Sequence, residues 1–515
     1  MSHTFLLVST GAGAGLTTVS LGMVRALDRI GIRAGFCKPV AQLSDSDHGP
    51  ERSTLLFEYM TDIKAPRPIS LKRATTLLGG GNLGLLMEEV IALYRQSARH
   101  ADVVIIEGLV ADGHAGYATR LNAAIARALD AEVILVGKPE SDLNEYIKIA
   151  SDAFGEADGT ALAGIIINKI GASDHQMPQR LKADSLQTCS EKIDQLQASD
   201  EMRLQLAESP FHNIGCIPWQ RSLMAPRIYD IASYLGATVL NEGGMRLRRV
   251  ERMELCARTL ANTLSVYQPH TLLIFPGDRD DVFVAACMAA MNGVRIAGIL
   301  LTGGLRPSFG VMNLCEQALQ TGIPLLLVES SSFQTASKLA LMPAEVAVDD
   351  FDLIDQAVDH VANHLDGDWL NVRCAIARKP RLSPAAFRYQ LIQQASQSMR
   401  RIVLPEGEEP RTIMAAYQCQ QRGIAQCILL GDPDKIYQIA LSQGVTLDNG
   451  VSIVDPVTVR QRYVEPMVAL RQHKGLTSEM AEDQLRARIV LGTMMLAIDD
   501  VDGLVSGALH TTANT

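Results

Sequence analysis

Four short runs near the start of the chain, Phe5 to Val8, Val103 to Ile106, Val133 to Val136 and Ile165 to Ile167, are apolar at every position. A strand apolar on both faces has to be covered on both faces, so these runs predict buried strands of a parallel sheet flanked by helices. The stretches between them fit that reading. Leu16, Val19, Met23, Val24 and Leu27 share one helical face, and Gly31 is placed to end that helix in the left-handed conformation. A polar, turn-rich stretch from Gly171 to Glu208 reads as an insertion or helical excursion before a further run, Ile214-Gly215-Cys216-Ile217-Pro218.

The pattern recurs twice. Thr271 to Phe275, Ile296 to Leu301 and Pro324 to Val328 read as strands of a second α/β part. Arg401 to Leu404, Cys427 to Leu430, Val451 to Val454 and Gly503 to Val505 read as strands of a third, with Ile413, Ala416 and Tyr417 at helical spacing after the first of them. Leu365-Asp366-Gly367-Asp368 and the basic Arg378-Lys379-Pro380-Arg381 bracket a connecting segment. With 515 residues, enough for about three domains, the expected division is 1–228, 229–348, a connector over 349–382, and 383–515. No repeat is evident, and every part is α/β.

Bulk properties exclude several classes of partner. An apolar share of 47% and a charged share of 20% are those of an ordinary globular chain. The net charge of -10 is spread thinly, without a basic stripe to neutralise nucleic acid or anionic lipid. The nine cysteines form no CxxC pair or His-linked cluster, so they read as reduced thiols, with no metal site. The first residues lack a basic n-region and no apolar run reaches spanning length, which predicts a cytoplasmic protein.

Thr10-Gly11-Ala12-Gly13-Ala14-Gly15-Leu16-Thr17-Thr18 follows a strand and opens a helix, the setting in which backbone N–H groups cradle phosphate. A working P-loop has lysine after its last glycine, and here that position is Leu16. Thr17 can still offer a hydroxyl to magnesium, and Glu107, at a strand end, can face it through water. The alternative is a tight strand-to-helix turn without its ligand. Lys38-Pro39 and Asn168-Lys169 end two further strands, on the edge where open parallel sheets bind ligands. Taken together, Gly11 to Thr18, Lys38-Pro39, Glu107-Gly108, Asn168 and Gly215 to Pro218 resemble the dethiobiotin synthetase type of P-loop domain. The resemblance implies a degenerate phosphate loop built from Gly11, Gly13, Gly15, Thr17, Lys38, Glu107 and Asn168, and Leu16 puts nucleotide binding and hydrolysis in question. In the middle part, Gly277-Asp278-Arg279 and Thr302-Gly303-Gly304 resemble the DRTGG domain, and turn glycines in an assembly module are the preferred reading.

The third part carries Ile402 to Thr412 as a strand, an acidic turn and a helix start at Pro410. It continues through Arg422 to Ala425, Leu430-Gly431-Asp432, Ile453 to Pro456, Leu470 to Gly475 and Val501 to Thr512. This series looks like the opening half of a phosphate acetyltransferase domain, and the three parts in order resemble the long bacterial form of that family. The resemblance implies transfer of an acetyl group between coenzyme A and inorganic phosphate, with no tightly bound cofactor and with a homo-oligomeric assembly. It places Arg471 where the family grips coenzyme A phosphate and Arg411 at another arginine of the site. The family's serine-arginine phosphate site and aspartate base fall beyond Thr515, so no catalytic residue is expected in this chain. Gly503 to Val505 reads as a buried strand and His510 to Thr515 as the approach to a helix, which predicts a domain cut in mid-course with an uncovered sheet face. Two further readings are a non-catalytic regulatory or assembly protein and an ATP-dependent ligase of the dethiobiotin synthetase type, the latter opposed by Leu16.

Overall fold

The computed structural model describes residues 3–42, 51–110, 117–139, 147–148, 154, 162–172, 202, 211–342, 346–376, 382–447 and 450–509. The chain divides into two compact units, Met1–Ser383 and Pro384–Thr515. The amino-terminal unit holds a six-stranded parallel sheet of β1 (His3–Ser9), β2 (Ala34–Cys37), β3 (Val103–Glu107), β4 (Glu132–Gly137), β5 (Leu162–Ile170) and β6 (His212–Pro218), in the order β2-β3-β1-β4-β5-β6. The expected runs all lie in these strands, and β1, β3 and β4 are buried along their whole length. Helix α1 (Leu16–Arg29) buries the five residues assigned to its apolar face, and Gly31 follows it with φ of 79°. A second helix, α2 (Arg52–Met60), starts beside the same strand ends. The Gly171 to Glu208 excursion lies almost wholly outside the described residues.

The segment expected to be a connector is instead part of this domain. Helix α3 (Phe351–Asn363) lies along α1, and Ile354, Val358, Val361, Ala362 and Leu370 are buried in one core with Phe5, Leu16 and Val19. The helices meet so closely at Gly22 that a Cβ there would lie 2.3 Å from Val361 Cγ1. The turn-like Leu365 to Asp368 run ties the next helix, α4 (Gly367–Ala375), to the sheet, since Asp366 caps α4 and its N–H donates to Ile214 O. The physical reason is the uncovered face of α1, which needs apolar cover that the middle part does not supply. The middle part is thus inserted into the first domain, and its two ends are stapled together. Arg227 pairs with Asp230 at 2.8 Å and Asp349 at 2.7 Å, and Arg249 pairs with Asp350 at 2.7 Å.

At the amino edge of the sheet, α4 brings Arg373 to Glu132 at 2.8 Å, and His3 meets the same carboxylate at 3.1 Å. Burial alone would raise the Glu132 pKa, but the hydrogen bonds from His3 and Arg373 outweigh it and hold the carboxyl at about 2. Because this lies below the ordinary 4.5, the stabilisation is complete at neutral pH and is lost as pH falls from about 4.5 toward 2. Linkage makes it on the order of 3 kcal/mol. Glu132→Gln is therefore expected to destabilise the chain at pH 7 in urea melts, with the gap to the parent narrowing toward pH 3. A gap independent of pH would show that the carboxylate charge is not what holds α4.

The middle sheet contains β7 (Thr238–Asn241), β8 (Arg252–Leu255), β9 (Thr271–Pro276), β10 (Gly298–Thr302) and β11 (Leu325–Leu327), in the order β7-β11-β10-β9-β8. Only β7 runs antiparallel. The carboxy-terminal unit has a four-stranded parallel sheet, β12 (Arg401–Leu404), β13 (Gln426–Leu430), β14 (Val451–Val454) and β15 (Gly503–Leu504), in the order β14-β13-β12-β15. Both of its faces are covered: Ile413, Ala416 and Ile436 pack on one side, Met467, Leu485, Leu491 and Met494 on the other. The uncovered face expected from the sequence is therefore absent among the described residues. Gly503 to Val505 is likewise not a buried strand. As the edge of the sheet it has one neighbour, β12, and Val505 is 60% exposed. No helix among the described residues is long and apolar enough to cross a membrane.

Candidate functional site

Two strand edges gather the residues singled out from the sequence. In the amino-terminal unit the glycine loop joins β1 to α1, with Gly13 and Gly15 at φ of 79° and 77°. Gly15 is required by contact as well, since a Cβ there would lie 2.6 Å from Asn168 Nδ2. That same amide donates to Ala14 O at 2.9 Å, and Lys169 Nζ donates to Gly13 O at 2.8 Å. Leu16 points away from the loop into the core. Burial and the nearby Lys138 charge lower the Lys169 pKa.

Beside the loop, three side chains converge on a single oxygen. Glu107 Oε1 accepts from Lys38 Nζ at 2.8 Å, Ser53 Oγ at 2.8 Å and Thr17 Oγ1 at 3.2 Å, while buried Oε2 has no partner among the described residues. Lys38 and Glu107 are 3% and 2% exposed. Glu107 thus meets α1 directly through Thr17 and is ion-paired with Lys38. Such a pair is held by the mutual neutralisation of two desolvated charges. The sequence missed Ser53, which carries no signal beyond its place in the first turn of α2. In the middle part, the Gly277, Gly303 and Gly304 N–H groups donate to the carbonyls of Thr302, Ser330 and Val328, so these glycines tie neighbouring strand ends together.

In the carboxy-terminal unit the acidic turn links β12 to α5 (Pro410–Arg422). Each of its three glutamates has a different task. Glu409 caps α5 by accepting from Thr412 N at 3.0 Å. Glu408 accepts from Asp432 N at 3.0 Å, at the end of β13, and from Arg488. Burial opposes ionisation of Glu408, but these donors prevail and lower its pKa. Glu406, 5% exposed, accepts the N–H groups of Gly507, Ala508 and Leu509 beyond β15 at 3.1, 2.7 and 2.8 Å. Arg411 joins the two loops, with Nε on the Glu409 carboxylate and Nη2 donating to Ala508 O at 2.7 Å. Arg471 ends helix α6 (Val464–Arg471), is exposed, and has no hydrogen bond or ion pair among the described residues. Of the two arginines, only Arg411 is therefore built into the turn. His510 to Thr515 lie outside the described residues.

This edge thus sets the Arg411 guanidinium between the Glu409 carboxylate and the Ala508 carbonyl. Comparison with known proteins supplies the chemistry. The phosphate acetyl/butaryl transferase family matches residues 386–515, the DRTGG domain 230–342, and an AAA domain 3–227. Phosphate acetyltransferase of Pseudomonas aeruginosa is 48% identical over 518 residues, covering 100% of this chain and 72% of that protein. The Escherichia coli phosphate acetyltransferase is 42% identical, covering 100% of this chain and 73% of its own length. A solved EutD phosphotransacetylase from Staphylococcus aureus matches 24% of this chain and 37% of its own at 35% identity, with a TM-score of 0.22. The family match runs to residue 515, and the chain spans 72% and 73% of the length of the two phosphate acetyltransferases.

Proposed function

We propose that this chain, which belongs to the phosphate acetyltransferase family, binds coenzyme A at the carboxyl edge of the third sheet through Arg411 and Arg471. The reaction of the family exchanges an acetyl group between coenzyme A and phosphate. In the direction of acetyl phosphate, a phosphate oxygen attacks the thioester carbonyl, a C–O bond forms, the C–S bond breaks, and the thiolate leaves and takes up a proton. The reverse direction needs the thiol deprotonated first. Both directions crowd negative charge into one place, which fixed cationic and amide groups stabilise. What carries the reading is identity to curated phosphate acetyltransferases along the whole chain. The guanidinium of Arg411 at the turn supports its placement. A homo-oligomeric assembly belongs to the same proposal.

The amino-terminal loop has a different standing. Leu16 is buried where a phosphate-reaching lysine is needed, and Lys38 is committed to Glu107. We assign the loop no ATP hydrolysis. Calorimetric titration of the full chain with coenzyme A tests the main reading, and saturable binding that weakens when the 3′-phosphate is removed is the expected result. Thioester formation from acetyl phosphate and coenzyme A is the activity to assay, with ATP and magnesium as a control that should release no phosphate. A chain that binds no coenzyme A would overturn the reading.

A further inference from the structure

Three successive backbone N–H groups aimed at one point form a nest, a concave site for an anion. In this chain the nest of Gly507, Ala508 and Leu509 is filled from within by the Glu406 carboxylate. Glu406 comes from the turn that follows β12, 101 residues from Gly507, so this contact fixes one loop of the edge against another. The loop has little else to hold it. The β15 strand that leads into it is two residues long, Val505 is 60% exposed, and Ser506 Oγ has no partner among the described residues. Arg411 depends on the same loop, because Ala508 O accepts its Nη2 at 2.7 Å while the other arm of the guanidinium rests on Glu409.

We propose that Glu406 is a positioning residue: by closing the 507–509 nest it fixes the Ala508 carbonyl, and through that carbonyl it sets the direction of the Arg411 guanidinium toward coenzyme A. The inference rests on the assignment of Arg411 to coenzyme A binding. A guanidinium held at both ends loses less freedom when it grips a phosphate, so the carboxylate raises affinity without touching the ligand. Glutamine at this position has the same shape but only one acceptor oxygen, and its amide N–H₂ would face the backbone donors.

The test uses the full chain, with hydrogen exchange at residues 507–509, coenzyme A titration, and a double-variant cycle. Glu406→Gln is expected to speed exchange at these amides roughly 100-fold, in keeping with local opening of a loop. It should weaken coenzyme A binding by about tenfold, with little change in melting temperature. In the Arg411→Ala background the same substitution should have no further effect on affinity, because its route to the ligand is already cut. A merely structural role predicts additive losses instead, and additivity would overturn the inference. So would unchanged affinity in a Glu406→Gln chain whose 507–509 amides exchange fast. A parent chain that binds no coenzyme A would remove the underlying functional reading and this inference with it. Glu406→Asp is the rescue variant, expected to restore part of the protection and part of the affinity.

Discussion

A polypeptide ending near residue 240 is expected not to fold, whereas one ending at Ser383 should unfold cooperatively. The shorter chain contains all six strands of the first sheet, and the sequence alone marks it as a complete domain. It lacks α3 and α4, which bury Ile354, Val358, Val361 and Leu370 against the core of that sheet. Full burial of such side chains stabilises by roughly 1.5–3 kcal/mol each. The loss is thus on the order of 10 kcal/mol, close to the whole stability of a typical domain. Removing Arg373 and Asp366 also strips Glu132 of a partner and frees the start of β6. Circular dichroism and urea melts of the two polypeptides decide the matter. A cooperative transition in the shorter one, at the midpoint of the longer, would show that α3 and α4 are ornaments on a self-sufficient sheet.

The same elements show where reading the sequence succeeds and where it stops. The strands were legible because a parallel sheet buried on both faces leaves runs with no polar alternation, and few other structures tolerate Val103-Val104-Ile105-Ile106. Helix α1 was legible for a related reason, since its apolar spacing and Gly31 come from local rules. Helix α3 has equally plain periodicity, but periodicity says that a face is covered, not by what. Its partner is 334 residues away at Arg25–Asp359, and the choice is made by tertiary packing. Val505 failed in the opposite direction, because an apolar residue in an extended segment looks the same on an edge strand as in a central one.

The candidate sites divide along the same line. That Lys38 and Glu107 fall at strand ends, and Asn168 two residues short of one, follows closely from the run lengths. That Lys38 Nζ lies on Glu107 Oε1 depends on side-chain reach across two strands. The acidic turn was visible as composition, and Pro410 marked the helix start. The separate tasks of Glu406, Glu408 and Glu409 were not visible, because the partners of the first two, Gly507 to Leu509 and Arg488, come from elements 80 or more residues onward. Arg471 is the reverse case, marked by resemblance and without a side-chain partner among the described residues.

That isolation makes Arg471 the cleaner of the two arginines to test. Arg411→Ala removes a charge and also frees Glu409 and Ala508 from their tie, so it confounds ligand binding with loop order. Arg471→Ala disturbs nothing that the described residues show, and the melting temperature should stay at the parent value. A hydrogen bond to a charged group is worth about 1.5–3 kcal/mol, or roughly 10- to 100-fold in Kd. Coenzyme A binding to the Arg471→Ala chain is expected to weaken within that range, and Arg471→Lys should fall between the two because it keeps the charge and loses the fork. The loss should shrink as salt is added, since an exposed charge is screened within about 10 Å at 0.1 M. It should also be smaller for coenzyme A lacking its 3′-phosphate if that group is the one gripped. Equal affinity for parent and Arg471→Ala at low salt would mean that the exposed arginine at the end of α6 is a solvated helix terminus and that the resemblance misplaces the grip.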